Sequence, residues 1–542
     1  MGIGGILALL VLPGAILPLL LLPKYSSFLR WLVGQRHFDY NAASLPDKYM
    51  LLTLTMAITG IVAVVKWDGL FPDRLDYANL APLPPGARVI FLAKFIALML
   101  FVGLFALALN AASTVLFPLV VMGDQINVGT WLRFVGGHAV ATVAGSFFMF
   151  FFFFAFVGLL MTLLPYRLFR QISTWVQFVS VITLVMLLLV TPEIGSLVTS
   201  TSPSTRAFLG WLPTVWFLGL YQQLLGRADA EFHALAMHAI EGLAVAIGVS
   251  LVLYAASYGR YFRRIPEMME SVPGAPGKMK RFAADCFARL TLRGGFERAC
   301  FYFVAKVFVR SQRHRLLLAG YIGLGMAIAI QDVASDWSGT VRVATHAPSA
   351  TILSAPLAIA FFLLSGLRFA FNVPADLSAN WIFRIVPERR GDQARRVAKK
   401  LMLAFLAPVV IVTAATYSVI WGARLGISHS AFVLLASLLL TDALLVEYRK
   451  IPFTCSYSAG KQNAGFLLAV YFLLFLSFSS GLAHLEHWAL GRPSVIPFLA
   501  LMTLLGACWA GVRYYVEEFA DRDQTIIFRD EPEPVVPSMD LR

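Results

Sequence analysis

Four ionisable side chains lie in long apolar runs, where charge is costly: Glu193, His238, Glu241 and Asp442. Each needs a task or a route to water. Glu241, His238 and Asp442 could carry protons in a relay. The plainer alternative is that all of these groups, lying near the ends of their runs, reach water or a polar neighbour. They lack the mid-membrane clustering that a midplane binding site would show. His484-Leu-Glu-His487 is metal-like, but two residues separate its histidines where a helical zinc pair needs i, i+4. It reads as an interfacial loop. Two Gly-Lys pairs fail as phosphate loops: Met279 follows Gly277-Lys278 and Gln462 follows Gly460-Lys461, where Ser or Thr must hold Mg²⁺. Val272 and Cys455 stand where each first glycine belongs. GxSxG is absent. Cys286, Cys300, Cys455 and Cys508 show neither CxxC nor metal spacing and read as reduced thiols. No catalytic residue and no metal is expected in this chain.

The elements that must position such groups follow from composition. Of 542 residues, 59% are hydrophobic and 14% charged, with a mean hydropathy of +0.75. Soluble domains have about 45–50% apolar and about 25% charged residues. The excess cannot hide in one core. It excludes a soluble enzyme, a disordered chain and a disulfide scaffold, and it predicts an all-α polytopic membrane protein. A crossing takes about 20 mostly apolar residues. Twelve candidates satisfy this: Ile3–Leu22, Tyr49–Val65, Phe95–Leu119, Val140–Leu164, Trp175–Val198 and Ala234–Tyr258, then Leu316–Ile330, Thr351–Leu367, Leu401–Trp421, Ala431–Leu445, Phe466–Leu482 and Val495–Tyr514. The run from Gly2 has no basic start, so it reads as a membrane segment rather than a cleaved signal.

The net charge of +14 points first to nucleic acid, but membrane proteins concentrate Lys and Arg on the cytoplasmic side. With the N-terminus inside, 34 of the 44 basic residues fall in cytoplasmic segments and 10 outside. That bias places both termini in the cytoplasm, leaves no Lys or Arg in a bilayer core, and argues against a nucleic-acid partner. Lys24, Arg30, Arg36 and Lys48 dissent, lying outside.

The basic segment 259–315 splits the chain into six-span halves, 1–258 and 316–516, with a tail at 517–542. Each half has a Pro-bounded stretch after its second span. In the first, Pro72 precedes Asp73, Arg74, Leu75, Asp76, Leu80, Leu83 and Pro84. In the second, Pro374 precedes Asp376, Leu377, Trp381 and Pro387. Proline both starts and stops helices, so each reads as a short cytoplasmic helix or, failing that, an ordinary solvated loop. Phe296–Arg310 carries apolar residues at helical spacing beside Arg298, Lys306 and Arg310, as an interfacial helix does. The first half has no counterpart, and an N-terminal interfacial helix is expected to be missing there. The run Phe147–Phe156 covers every helical face and reads as lipid contact or as a wall beside a hydrophobic route.

This plan resembles the type-2 ABC exporter permeases. Asp73–Lys94 is similar to that family's Leu-Pro, Arg, Lys-led connector. Gly210–Tyr221, with Trp211, Pro213, Trp216 and Phe217, is similar to its re-entrant pair of short helices. The resemblance implies that Pro72–Pro84 and Pro374–Pro387 are coupling helices seated on a separate ATPase subunit, in two copies, which supplies ATP and Mg²⁺. It also implies a bacterial-type inner membrane and export of an amphiphilic or lipid-like cargo. The second half departs from the pattern, since Ala483–Pro493 is too short for a re-entrant pair. A proton-driven secondary transporter and a non-transporting scaffold are the alternatives.

Overall fold

The computed structural model describes residues 3–32, 39–67, 87–122, 127–199, 202–226, 229–270, 294–338, 348–375, 391–446, 448, 450–454 and 464–520. Among these residues there is no strand. Among the described residues ten helices are long and apolar enough to cross a membrane, eleven if the bent pair Trp175–Leu189 and Thr191–Leu197 is one span. The protein is an all-α polytopic membrane protein. These helices overlie eleven of the twelve expected spans; the first candidate run lies in a helix whose apolar stretch, Val11–Tyr25, is shorter than a crossing. The chain divides into two compact units, Met1–Pro273 and Gly274–Arg542.

The first unit contains α1 (Ile3–Tyr25), α2 (Ser27–Leu32), α3 (Tyr40–Lys66), α4 (Ala87–Met122), α5 (Val128–Leu163), α6 (Tyr166–Leu189), α7 (Thr191–Leu197), α8 (Pro203–Leu209), α9 (Pro213–Leu224) and α10 (Ala230–Glu270). Helix α3 is its centre, packing on α4, α5, α6, α7 and α9. Gly60 lets α5 and α6 come close: a Cβ there would lie 2.9 Å from the Met149 methyl and 3.0 Å from Leu184. Asn127 caps α5 by accepting from the Gly129 amide at 3.1 Å, satisfying a donor the helix start leaves open. Pro192 cannot supply an amide hydrogen to the continuing helix, and there α6 and α7 meet at 57°.

The aromatic run of α5 is a correction. Phe148, Phe150, Phe151, Phe153 and Phe154 are buried in the unit's core, and Phe152 alone among the five-residue stretch 150–154 is exposed. Contact with α3, α6, α9 and α10 covers most faces of this helix, so the run is protein core rather than lipid contact.

The second unit contains α11 (Gly295–Arg310), α12 (Gln312–Ser338), α13 (Ala350–Ala370), α14 (Gly391–Trp421), α15 (Ala423–Leu444), α16 (Ala464–Leu476), a π-helical turn (Ser477–Gly481), α17 (Leu482–Leu490) and α18 (Ile496–Tyr515). Helix α13 is central, packing on α12, α14, α15, α17 and the π-helical turn. Ser349 caps it, accepting from the Ile352 amide at 3.2 Å. The apolar face of α11 (Cys300, Phe301, Val304, Phe308) joins the core beside α14.

The halves share most of their packing plan. The second span contacts the third, fourth and fifth in both, and the fourth contacts the third and sixth. They differ at the first span: α1 packs mainly on α4, the third span, whereas α12 packs mainly on α13, the second.

Candidate functional site

The most elaborate polar structure lies where α13 ends. Arg368, in the last turn of α13, donates to the Leu444 carbonyl at 2.9 Å and the Asn372 side chain at 3.0 Å, with its guanidinium over the Tyr448 ring. The chain then exchanges backbone bonds with the loop after α15. Phe453 donates to the Phe371 carbonyl at 3.0 Å, and Ala375 donates to the Phe453 carbonyl at 3.1 Å. Phe453 holds φ at 68°, a left-handed conformation costing about 1–2 kcal/mol in a residue with a side chain. Its buried ring, against Phe308, Phe371 and His314, offsets that cost. His314 Nε2 lies 2.9 Å from the Val373 carbonyl and completes the clamp.

Two ion-pair groups tie helices together at this end. Asp442 of α15 accepts from Lys399 of α14 and the Trp509 indole of α18, each at 2.7 Å. Buried Glu297 of α11 pairs with Lys400 at 2.8 Å and Arg396 at 3.7 Å, both on α14. Glu297 and burial together push the nearby Cys300 thiol up to about 12, with burial the larger cause.

The first unit has a simpler clamp at the end of its second span. The Trp67 indole donates to Ser173 at 3.2 Å, and the Gln177 amide donates to the Val64 carbonyl at 3.3 Å. In both units, therefore, the end of the second span is fastened to the turn between the fourth and fifth, or to the helix that follows it.

The candidate coupling segments follow these clamps in sequence. Pro72, Asp73, Arg74, Leu75, Asp76, Leu80, Leu83 and Pro84 lie outside the described residues, as do Asp376, Leu377, Trp381 and Pro387. Pro374 is described, one residue before the Ala375 amide bond. Gly210–Tyr221 joins two short helices, α8 and α9, with Pro213 opening α9. Phe217 is buried, Trp216 donates to the Gly210 carbonyl at 2.6 Å, and Trp211 is exposed at the junction.

The four ionisable candidates do not form one cluster. Glu193 lies in the first turn of α7, beyond the bend. His238 and Glu241 sit 3.9 Å apart on α10, 57% and 65% exposed. Asp442 belongs to the other unit. Among the described residues no group of three or more His, Cys, Asp and Glu side chains could hold a metal.

Sequence reasoning missed several buried ionisable groups. Lys48 is counted above in a loop, but it lies inside α3 and is fully buried, 4.9 Å from the Phe134 ring centre and 5.4 Å from that of Tyr221. His138 is beside it in chemistry, with ring nitrogens 3.1 Å from the Tyr221 hydroxyl and 3.3 Å from Ser113. Asp47, next to Lys48 in sequence, accepts from Lys24 at 2.7 Å and from the Tyr25 hydroxyl. The supposed loop His484–His487 is also a correction: it is helical, in α17, and Glu486 is fully buried against His429 of α15. A usable signal was present. Ala483, Glu486 and Ala489 recur every third residue, one helical face, and all three are buried.

No protein-family model, curated protein or solved structure matches this chain.

Proposed function

We propose that this chain is the membrane-spanning permease of an ATP-driven exporter of the type-2 ABC class. The observation that supports it most is the pair of clamps. In each unit the end of the second span, which precedes Pro72–Pro84 or Pro374–Pro387 in sequence, is fixed either to the turn between the fourth and fifth spans or to the helix that follows that turn. A partner pushing on such a segment would move several spans as one lever.

On this reading a separate nucleotide-binding subunit, in two copies, binds ATP and Mg²⁺. The clamped ends and both termini face the cytoplasm of a bacterial-type inner membrane. The cargo is amphiphilic or lipid-like and is handled within the bilayer. The test is co-purification of an ATPase with the full chain. Replacing Pro72–Pro84 or Pro374–Pro387 by a flexible Gly/Ser linker removes the rigid contact and should release the ATPase. Retention after both replacements would overturn the coupling assignment.

The competing reading is a proton-driven secondary transporter, for which the proximity of His238 to Glu241 speaks. It requires transport that an uncoupler collapses while ATP persists, and loss of transport in Glu241→Gln.

A further inference from the structure

The second unit buries an acid–base pair that the exporter reading leaves unused. His429 lies in the second turn of α15 and Glu486 on α17, and neither is exposed. His429 Nδ1 is 3.0 Å and 2.9 Å from the two carboxylate oxygens. Tyr417 of α14 stacks on the imidazole, ring centres 4.8 Å apart, and donates its hydroxyl to the Ile352 carbonyl at 2.6 Å. The π-helical turn Ser477–Gly481 leads directly into α17. Such turns are rare and concentrate at functional sites. His429 Nε2 is buried with no hydrogen-bond partner among the described residues.

Proton counting gives this geometry its meaning. The pair is net neutral in three ways: an imidazolium facing a carboxylate, a neutral imidazole accepting at Nδ1 from a carboxylic acid, or a neutral imidazole donating from Nδ1 to a carboxylic acid. The first two place a hydrogen on Nε2 and the third leaves it bare. Removing the Nε2 hydrogen from either of the first two, or the carboxyl hydrogen from the third, leaves Nδ1–H facing a carboxylate, and one uncompensated negative charge among apolar helices. The first two forms thus carry a donor that no described group accepts, and the deprotonated pair carries a buried charge. This packing favours keeping the proton, and losing it favours a different packing.

Few other charges face the pair. Tyr417 is the titratable group α14 offers there. On α17, His484 and His487 have their Nδ1 atoms 2.8 Å from the Ser480 carbonyl and 3.0 Å from the Pro348 carbonyl. Arg424 lies exposed on α15, Arg492 over the Trp488 ring, and Asp332 accepts from Ser354 of α13 at 2.7 Å. Lys399, Arg368 and Arg513 lie toward the opposite end of α15, near Asp442 and Leu444.

We propose that His429 and Glu486 form a proton-binding site, which takes up and releases one proton at His429 Nε2, release being coupled to separation of α15 from α17. The released proton passes to water admitted as the helices part. The site does not depend on an ATPase partner.

The experiment uses the full chain in lipid nanodiscs with ¹⁵N-labelled histidine, the His429 signal being assigned by its loss in His429→Gln. Nε2 should pass from protonated to bare as the pH is raised. Spin labels at Ile427→Cys and Leu485→Cys, both exposed positions, should move apart over the same range. Glu486→Gln removes the carboxylate that pairs with His429, so the transition should be displaced, whereas Glu486→Asp should largely preserve it. A fixed Nε2 state with unchanged spacing across the range, measured without altering either residue of the pair, would make the pair a static staple and overturn the proposal. So would a Glu486→Gln curve that superposes on the parent. Should Glu486→Gln not fold, the parent titration and spacing decide alone.

Discussion

Removing the Asp442 carboxylate separates its two readings, ion-pair anchor and proton carrier. In Asp442→Ala, Lys399 loses its partner and the Trp509 indole loses its acceptor. Orphaning one member of a buried pair costs about 3–5 kcal/mol. The Lys399 side chain is 25% exposed, so it can turn partly toward water and recover some of that. The lost indole bond adds about 1 kcal/mol. A net loss of about 2–3 kcal/mol follows, which for a unit of this size lowers the unfolding temperature by about 4–12 °C. The assay is thermal unfolding of the purified chain in nanodiscs. Lys399→Met combined with Asp442→Leu removes both charges and should lie closer to the parent, because no lone charge remains. An Asp442→Ala midpoint within about 1 °C of the parent would refute the anchor. An Asp442→Asn chain that is fully stable yet inactive in transport would restore the relay.

Three further outcomes follow from packing and protonation. Phe154→Ala should cost about 2 kcal/mol and Phe152→Ala under about 0.5 kcal/mol, read as unfolding midpoints, since the first ring is 2% exposed and the second 47%. Gly366→Ala should loosen α12 from α13, because a Cβ at 366 would lie 2.6 Å from the Tyr321 Cβ; an unchanged midpoint and an unchanged α12–α13 crosslinking pattern would contradict that close approach. Cys300, in a variant carrying Cys286→Ser, Cys455→Ser and Cys508→Ser, should resist maleimide at pH 8 in the folded protein and react after denaturation. Raising the pH toward 12 increases the thiolate and hence the labelling rate, whereas lowering it cannot.

Span positions were legible because length and apolarity alone define a crossing helix. Thr351–Leu367 matches α13 almost end to end, and Leu401–Trp421 matches the C-terminal end of α14, which starts earlier, at Gly391. Boundaries were less legible: α3 starts at Tyr40, nine residues before its apolar run, because Asp47 and Lys48 are accommodated by partners distant in sequence. Lys24 and Tyr25 satisfy the first, and Phe134 and Tyr221 cover the second. No window along one strand of sequence contains those partners. The same limit applies to His429 and Glu486, 57 residues apart. The Phe147–Phe156 run was misread for a related reason: hydropathy cannot distinguish lipid from neighbouring helices as the cover for an apolar face.

The halves share a frame but not their buried charges. Both place the second span at the centre and clamp its end, as two levers answering similar pushes would require. That shared mechanics asks nothing of the groups buried elsewhere in each unit. The first unit buries a cation beneath aromatic rings, at Lys48, while the second buries an acid against an imidazole, at Glu486 and His429. Buried ionisable groups are costly to keep in hydrocarbon, so a purely mechanical pair of levers would gain by replacing them with apolar side chains. Their presence, different in each unit, argues that the two halves have divided tasks that the common frame does not distinguish. The first-span difference, α1 on α4 against α12 on α13, fits the same division.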